Sequence, residues 1–259
     1  MDDYLSFAKS LAGKAGGIML EHFKVGVDIE IKSDRSPVTV ADKAINELVI
    51  NEVKQTYPDH GVLGEEASYN SKNREYLWVC DPIDGTKPYS KGIPTNVFSL
   101  ALVKSGQPII AVVNDPYMKR LFTAVKSQGA FCNDQPIHVN SVSKLSDLVI
   151  GTSGTGHSER MDSYALHEEI VPQLYRHMEL GSSVYEAMMV ALGQFGAAVF
   201  PGVLAHDAAA ASLIVSESGG KATDLAGKQQ RYDRPINGAI LSNGIVHEKL
   251  VKIISKFTL

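Results

Sequence analysis

Two carboxylates three residues apart, Asp81 and Asp84, are followed at once by Gly85 and the hydroxyl of Thr86. They close the apolar run Leu77-Trp78-Val79-Cys80, which has the look of a buried strand. Pro82 lacks an N–H and pushes the residue before it away from helical geometry, so the strand is expected to stop at Asp81. Acids at a strand's end lie where α/β folds gather ligands. Gly85 lets the backbone approach a bound group closely, and the amides of Gly85, Thr86 and Lys87 could then face an anion. Acids to hold a hard cation beside amides to hold a phosphate make a metal-assisted phosphate site. An Asp-Gly turn without function has the same local signature, so the stretch needs support from elsewhere in the chain.

Two further acids keep similar company. Glu65 follows a short apolar stretch at 61–63 and Gly64, with Glu66 beside it. Asp207 stands directly before Ala208-Ala209-Ala210-Ala211 and is read as opening a helix. Four acids at element ends, each backed by small or apolar residues, suit Mg²⁺, an ion that takes oxygen ligands in near-octahedral geometry. The bland alternatives are a solvated turn for Glu65 and Glu66 and an N-cap for Asp207. Gly151-Thr152-Ser153-Gly154-Thr155-Gly156 lacks the Gly-Lys-Ser/Thr ending of a P-loop and is read as a connector. Neither G-x-S-x-G nor H-E-x-x-H occurs, which removes the nucleophile-elbow hydrolases and the zincins. His206, the one histidine near the proposed cluster, is read as lining or packing at the rim of the pocket and not as a ligand.

Periodicity supplies the elements that must position these residues. Residues 4–23 carry a helical apolar stripe, interrupted by Gly13, Gly16 and Gly17 where another helix is expected to pack closely. A second amphipathic helix spans 44–53, with Thr39 as N-cap and Asp42 as its capping-box partner. Strands are read at 27–31 and 61–63, and an antiparallel meander at 96–103, 108–113 and 121–125. Asn133-Asp134 reads as the turn of a hairpin joining 129–132 to 136–139. From 141–147 the texture changes. Strands at 148–151, 177–180, 197–200, 221–223 and 239–242 alternate with helices at 159–175, 183–192, 207–218 and 247–256. This divides the chain into an N-terminal α+β lobe, 1–143, holding most of the acids, and a C-terminal α/β lobe, 144–259, holding Asp207.

Bulk properties exclude several classes. The 259 residues are 44% apolar and 21% charged, ordinary for a globular protein. A net charge of −4 and no basic run argue against a nucleic-acid partner. Two cysteines without a CxxC argue against a disulfide framework or cysteine-bound zinc. The acidic start Met1-Asp2-Asp3 is unlike a signal peptide, and no apolar run nears the ~20 residues of a membrane helix. A soluble, cytoplasmic protein acting on a small molecule, with no membrane partner, is expected.

Gly64-Glu65-Glu66, then Trp78-Val79-Cys80-Asp81-Pro82-Ile83-Asp84-Gly85-Thr86, then His206-Asp207-Ala208-Ala209-Ala210 and Glu217-Ser218-Gly219-Gly220 stand in a recognisable order and spacing. In these motifs nearly the whole chain resembles the inositol monophosphatase superfamily, the magnesium-dependent, lithium-sensitive phosphomonoesterases. It departs from them at His206, where the family usually carries Trp. The resemblance implies a layered αβαβα sandwich and a homodimer. It implies one Mg²⁺ on Glu65, Asp81 and the carbonyl of Ile83, and a second on Asp81, Asp84 and Asp207. Thr86 with Glu65 would position and deprotonate the attacking water, and the amides of Gly85 and Thr86 would hold the phosphate. Asp42, in Thr39-Val40-Ala41-Asp42, would support the water network and a weaker third metal site. Gly181-Ser182-Ser183 matches the turn that contacts the substrate's organic part, alongside Asp84 and Asp207. Phe200 stands where inositol-specific members carry a glutamate, and its bland reading is a buried strand residue. Lys87 resembles the Asp-Gly-Thr-Lys version found in histidinol-phosphate phosphatases and bisphosphate nucleotidases. The implied activity is hydrolysis of a small phosphate monoester by metal-activated water, inositol monophosphate first. Histidinol phosphate, a 3′(2′),5′-bisphosphate nucleotide or a sugar bisphosphate are the alternatives, and a non-catalytic phosphate- or metal-binding protein is a more distant one. A haloacid-dehalogenase-type site would need D-x-D-x-T, and Asp81 and Asp84 are one residue too far apart for it.

Overall fold

A computed structural model of the protein describes residues 1–32, 37–71, 75–152, 161–202 and 204–258. The connector expected at 153–156, and residues 159–160 of the helix expected at 159–175, lie outside the described residues.

Two long amphipathic helices come first: α1 (Asp2–His22) and, after the two-residue strands β1 (Glu30–Ile31) and β2 (Pro37–Val38), α2 (Val40–Thr56). Thr39 closes a full capping box at the start of α2. Its hydroxyl accepts from the Asp42 N–H, and Asp42 Oδ2 accepts from the Thr39 N–H at 2.7 Å. The strands that follow are β3 (Gly61–Gly64), β4 (Tyr76–Asp84), β5 (Val97–Lys104), β6 (Gln107–Asp115), β7 (Arg120–Val125), β8 (Ala130–Cys132) and β9 (Gln135–Pro136), with the short helix α3 (Thr86–Ser90) between β4 and β5. They form one seven-stranded sheet in chain order, β3 parallel to β4 and the rest antiparallel. The meander is thus as expected, and Asn133 and Asp134 take φ of 50° and 60°, the left-handed pair that a type I′ hairpin needs.

The second half supplies β10 (Val149–Thr152), α4 (Ser163–Ile170), β11 (Arg176–Met178), α5 (Ser183–Ala191), β12 (Ala197–Phe200), α6 (Ala209–Glu217), β13 (Lys221–Thr223), β14 (Ala239–Ser242) and α7 (His247–Ile254). Its five strands form a mixed sheet in the order β11-β10-β12-β14-β13.

Strand alternation then stacks the layers. Trp78 and Cys80 of β4 join Leu100, Leu102 and Val112 under α1 and α2, with Leu11, Met19, Ile45 and Val49 facing them. Val79, Ala101, Val103 and Val113 point the other way, onto Val184 and Met188 of α5 and Ala210 and Ile214 of α6. Those two helices rest in turn on Ala198, Phe200, Ala239 and Leu241 of the smaller sheet. The far face of that sheet, Ile150, Ala197, Val199 and Ile240, is closed by Leu166 and Ile170 of α4 and by Leu250 and Ile254 of α7. The order helix, sheet, helix, sheet, helix is the αβαβα sandwich. Among the described residues no helix is long and apolar enough to cross a membrane.

Four expectations need correction. The strand does not stop at Asp81. β4 runs on to Asp84 through a register shift, Asp81 facing Ser99 and Asp84 facing Val97, and Pro82 is tolerated because it falls in that bulge, where no ladder N–H is required. α4 is only eight residues long, capped by Asp162, because Pro172 turns the chain after Ile170 into a 3-10 turn. Of the three glycines of α1 only Gly16 is closely packed, and against a strand and not a helix: a side chain there would collide with Asn114 at the end of β6, while Gly13 and Gly17 face open space. Asp207 does not open α6; it ends a 3-10 turn (Ala205–Asp207), and Ala208 is the residue at the helix cap.

Candidate active site

The parallel pairing of β3 with β4 sets Gly64 opposite Cys80, so the residues just beyond, Glu65 and Asp81, emerge side by side. The Glu65 N–H donates to the Cys80 carbonyl at 3.2 Å and fixes that exit. In a regular strand, residues three apart point to opposite faces. The bulge inserts one extra residue between Asp81 and Asp84, and both carboxylates reach the same cluster. Asp207 arrives from the other half of the chain on its 3-10 turn.

α5 also turns its N-terminus on the site. Asp84 Oδ2 accepts from the Val184 N–H at 2.7 Å and from the Ser182 hydroxyl, and Asp84 Oδ1 accepts from the Ser183 hydroxyl at 3.0 Å. Ser182 is the N-cap of that helix, its oxygen accepting from the Tyr185 N–H, and it is 1% exposed. The substrate contact expected of Ser182 is therefore not available to it, because its hydroxyl is committed to Asp84 and to the cap. Gly181 is exposed and Ser183 half-exposed beside it. Gly85 takes φ 92°, and a side chain there would come within 2.9 Å of Ser182 Cβ and 3.0 Å of the Thr95 carbonyl, so no other residue fits between the two halves.

The electrostatics are strained as they stand. Burial pushes the Asp81 carboxyl well above the carboxylate range, and Glu65, Asp84 and Asp207 push it further. Burial raises Asp84 as well, against the opposing hydrogen bonds from Ser182, Val184 and Ser183. Asp207 is raised by burial and then by Asp84 and Glu65. Asp81 is 2% exposed, and its Oδ1 has no hydrogen-bond partner among the described residues. A buried, unpartnered carboxylate oxygen among acids is unstable unless a cation completes it. The ligand-capable atoms of Asp81, Asp84 and Asp207 lie within 4.8 Å of one another, and so do those of Glu65, Asp81 and His206. An all-oxygen triad of this size fits Mg²⁺.

Asp42, in the first turn of α2, is buried and lies outside both triads. Its Oδ2 serves the capping box while its Oδ1 accepts from the Thr86 hydroxyl at 3.3 Å. The same hydroxyl lies 3.1 Å from the Ile83 carbonyl, so Thr86 has two acceptors for one proton. Burial, opposed by Thr39 and reinforced by Glu65 and Glu66, lifts Asp42 to about 6.

Two participants escaped the sequence reading. Lys32 reaches over to Glu65 Oε1 (2.7 Å) and Glu66 Oε1 (2.9 Å). Burial works to lower the pKa of its ammonium, but hydrogen bonds to the two glutamates prevail and the net shift is upward. No local pattern in the sequence marked it, since the contact spans more than thirty residues. His206 stands in one of the triads with its Nε2 3.6 Å from Asp207 Oδ1, and burial lowers its pKa to about 4. The signal was present in its adjacency to Asp207. Phe200 is 3% exposed at the end of β12 and belongs to the central core, as its bland reading had it. Lys87 is exposed on the wall of an open cleft of 720 Å³ shared with Pro88, Leu180 and Gly181.

Known proteins resemble the chain over nearly its whole length. The model of the inositol monophosphatase family matches residues 1–258. A Nus factor SuhB of Pasteurella multocida is 32% identical over 232 residues, 88% of this chain and 87% of its own. A histidinol-phosphatase of Streptomyces coelicolor is 32% identical over 272 positions, 99% of both chains. An IMPase/NADP phosphatase solved with Mg²⁺ and phosphate superposes with a TM-score of 0.81 at 28% identity, over 96% of this chain and 92% of that one.

Proposed function

Because the chain belongs to the inositol monophosphatase family, we propose that it hydrolyses a small polar phosphate monoester, inositol monophosphate first, at the Glu65–Asp81–Asp84–Asp207 cluster. Phosphatase chemistry is common to the family, and its members depend on magnesium. The observation that carries the placement is Asp81 Oδ1, buried and unpartnered at the point shared by both triads.

In this reading Asp81, Asp84 and Asp207 hold one Mg²⁺, and Glu65, Asp81 and the Ile83 carbonyl hold a second divalent cation. When bound, the ions neutralise phosphate charge and acidify a water. The remaining work falls to the chain. The Thr86 hydroxyl donates a hydrogen bond to Asp42 or to the Ile83 carbonyl, which leaves its lone pairs to accept from the attacking water and orient it. Glu65 takes the proton that the water releases. The backbone N–H groups at Gly85 and Thr86, where the left-handed glycine feeds the first turn of α3, hold the phosphate. Ser182, Ser183 and the Val184 N–H fix Asp84 and oppose the upward shift that burial gives it. With Phe200 in the core, no carboxylate at that position grips a ring hydroxyl, so the organic part is held by Gly181 and Ser183 at the cleft mouth.

The reading also includes a cytoplasmic homodimer inhibited by lithium. The exposed Ile31 (62%) and Ile93 (49%), beside the cleft, are surface that a second copy would cover. Sedimentation showing only monomer at micromolar concentration would remove the dimer.

The activity is tested by phosphate release from inositol 1-phosphate, histidinol phosphate, fructose 1,6-bisphosphate and adenosine 3′,5′-bisphosphate, with and without Mg²⁺. Mg²⁺-dependent turnover with one preferred substrate is expected. Turnover of none, with the cation bound, would contradict the catalytic reading.

A further inference from the structure

Among the described residues, the buried His60, His206 and His247 and the half-buried His177 divide by what their ring nitrogens face. His60 Nδ1 accepts from the Trp78 indole at 3.2 Å. His177 Nε2 meets the Thr152 hydroxyl at 2.6 Å. Both nitrogens of His247 are bonded to hydroxyls, those of Thr223 and Ser242. These three pair with neutral groups and pack as ordinary interior imidazoles. His206 is as buried, at 6% exposed, yet its ring turns toward acids: Nε2 lies 3.6 Å from Asp207 Oδ1, and a ring nitrogen lies within 4.8 Å of ligand-capable oxygens of Glu65 and Asp81.

We infer that His206 supplies a nitrogen ligand to the cation held by Glu65 and Asp81, and that this position therefore selects a first-row transition-metal dication over Mg²⁺. This rests on the metal-dependent phosphatase reading and goes beyond it, because the other triad, Asp81, Asp84 and Asp207, has only oxygen to offer and remains a Mg²⁺ site. The size of the group is right. Opposed ligands of one octahedral ion bound at about 2.1 Å stand about 4.2 Å apart, so three atoms within 4.8 Å close on an ion with little movement. The chemistry follows from ligand type: imidazole suits borderline metals, whereas Mg²⁺ prefers oxygen throughout. The unpartnered Asp81 Oδ1, independently of the histidine, shows that the cluster lacks a cation-sized partner at this point. The consequence is a two-metal centre whose positions differ in hardness, with one shared carboxylate between them.

The test uses the full chain and two readouts that need no turnover. Pulsed EPR of the Mn²⁺-loaded protein should show nitrogen modulation from one coordinated imidazole, and His206→Phe should abolish it. Calorimetric titration should give Co²⁺ at least tenfold tighter binding than Mg²⁺ at the first site. His206→Phe should reduce that preference by about tenfold and change Mg²⁺ affinity by less than about threefold. Mn²⁺ bound to the wild-type chain without nitrogen modulation would overturn the assignment while leaving the phosphatase reading in place, and that result does not depend on the variant folding. Failure of the chain to bind any divalent cation would overturn both.

Discussion

Asp81 and Asp115 are both buried aspartates near the ends of strands in the same sheet, yet they live under opposite conditions. Asp115 is wholly provided for from within the fold. Its Oδ1 accepts from the Tyr117 and Met118 N–H groups at 3.1 Å each, and its Oδ2 takes the Arg120 guanidinium at 2.7 and 3.0 Å. Arg120 in turn donates to the Tyr185 hydroxyl at 2.7 Å, which ties β7 to α5. Among the described residues Asp81 has no counter-ion and one oxygen without a partner, and four other acids act on it: Glu65, Asp84, Asp207 and Asp42. Burial of charge alone says little about function. What distinguishes the two sites is whether the chain itself completes the carboxylate.

That contrast can be broken from either side. Asp81→Asn should cost the largest effect on activity, about a thousandfold or more in kcat, a little over 4 kcal/mol of barrier. It should leave the metal-free protein no less stable, since it removes a charge that the fold does not satisfy. Comparable kcat would detach Asp81 from the chemistry. Asp115→Asn should do the reverse. A half-buried Arg120 left without its partner costs about 3 kcal/mol, the lower end for a buried pair, a fall in Tm of about 6–12 °C for a chain of this size, with kcat of the folded fraction within a few-fold of wild type. A melt unchanged by that substitution would mean that the pair is decoration.

The pH dependence should sharpen the comparison. Asp42, ordinarily near 3.8, is held at about 6 in the fold, and a folded value above the unfolded one means that the native state binds the extra proton. Metal-free stability should thus be greatest below about pH 4 as regards this group and decline as pH rises to about 6, by roughly 3 kcal/mol. The upward shifts of Asp81, Asp84 and Asp207 act with the same sign. Saturating Mg²⁺ should flatten the curve. Denaturant melts that rise over this interval without metal would refute the sign. The smallest effect is expected at Ser182→Ala, which loses a helix cap and one bond to Asp84: about 1–2 kcal/mol of stability and a kcat reduced several-fold. A stability loss with no change in kcat would confine Ser182 to capping.

Much of this was legible in the sequence because it is local. Apolar alternation and Gly85 marked β4 and its exit, and Thr39 with Asp42 announced the start of α2 before any contact was known. The meander and its Asn133-Asp134 turn follow from short-range chemistry as well. What was not legible is what depends on two distant pieces meeting. Pro82 reads as a strand end because a bulge is visible only when Ser99 and Val97 lie opposite. Asp207 before four alanines reads as a helix cap, since only the tertiary structure takes it into a 3-10 turn facing β4. Ser182 and Ser183 bond a residue nearly a hundred positions away, and Lys32 pairs with acids more than thirty positions on. His206 reads as a rim residue because nothing in the sequence says which way its ring turns.

The central claim is that the cluster around Asp81 is incomplete without a divalent cation. Thermal melts of the wild type and of Asp81→Asn, each with and without Mg²⁺ at about a hundred times its Kd, test it most directly. Binding at that excess contributes about 2.7 kcal/mol, so the wild-type Tm should rise by about 5–10 °C and that of Asp81→Asn by little or nothing. Equal Mg²⁺ shifts in the two proteins, or none in the wild type, would contradict the account.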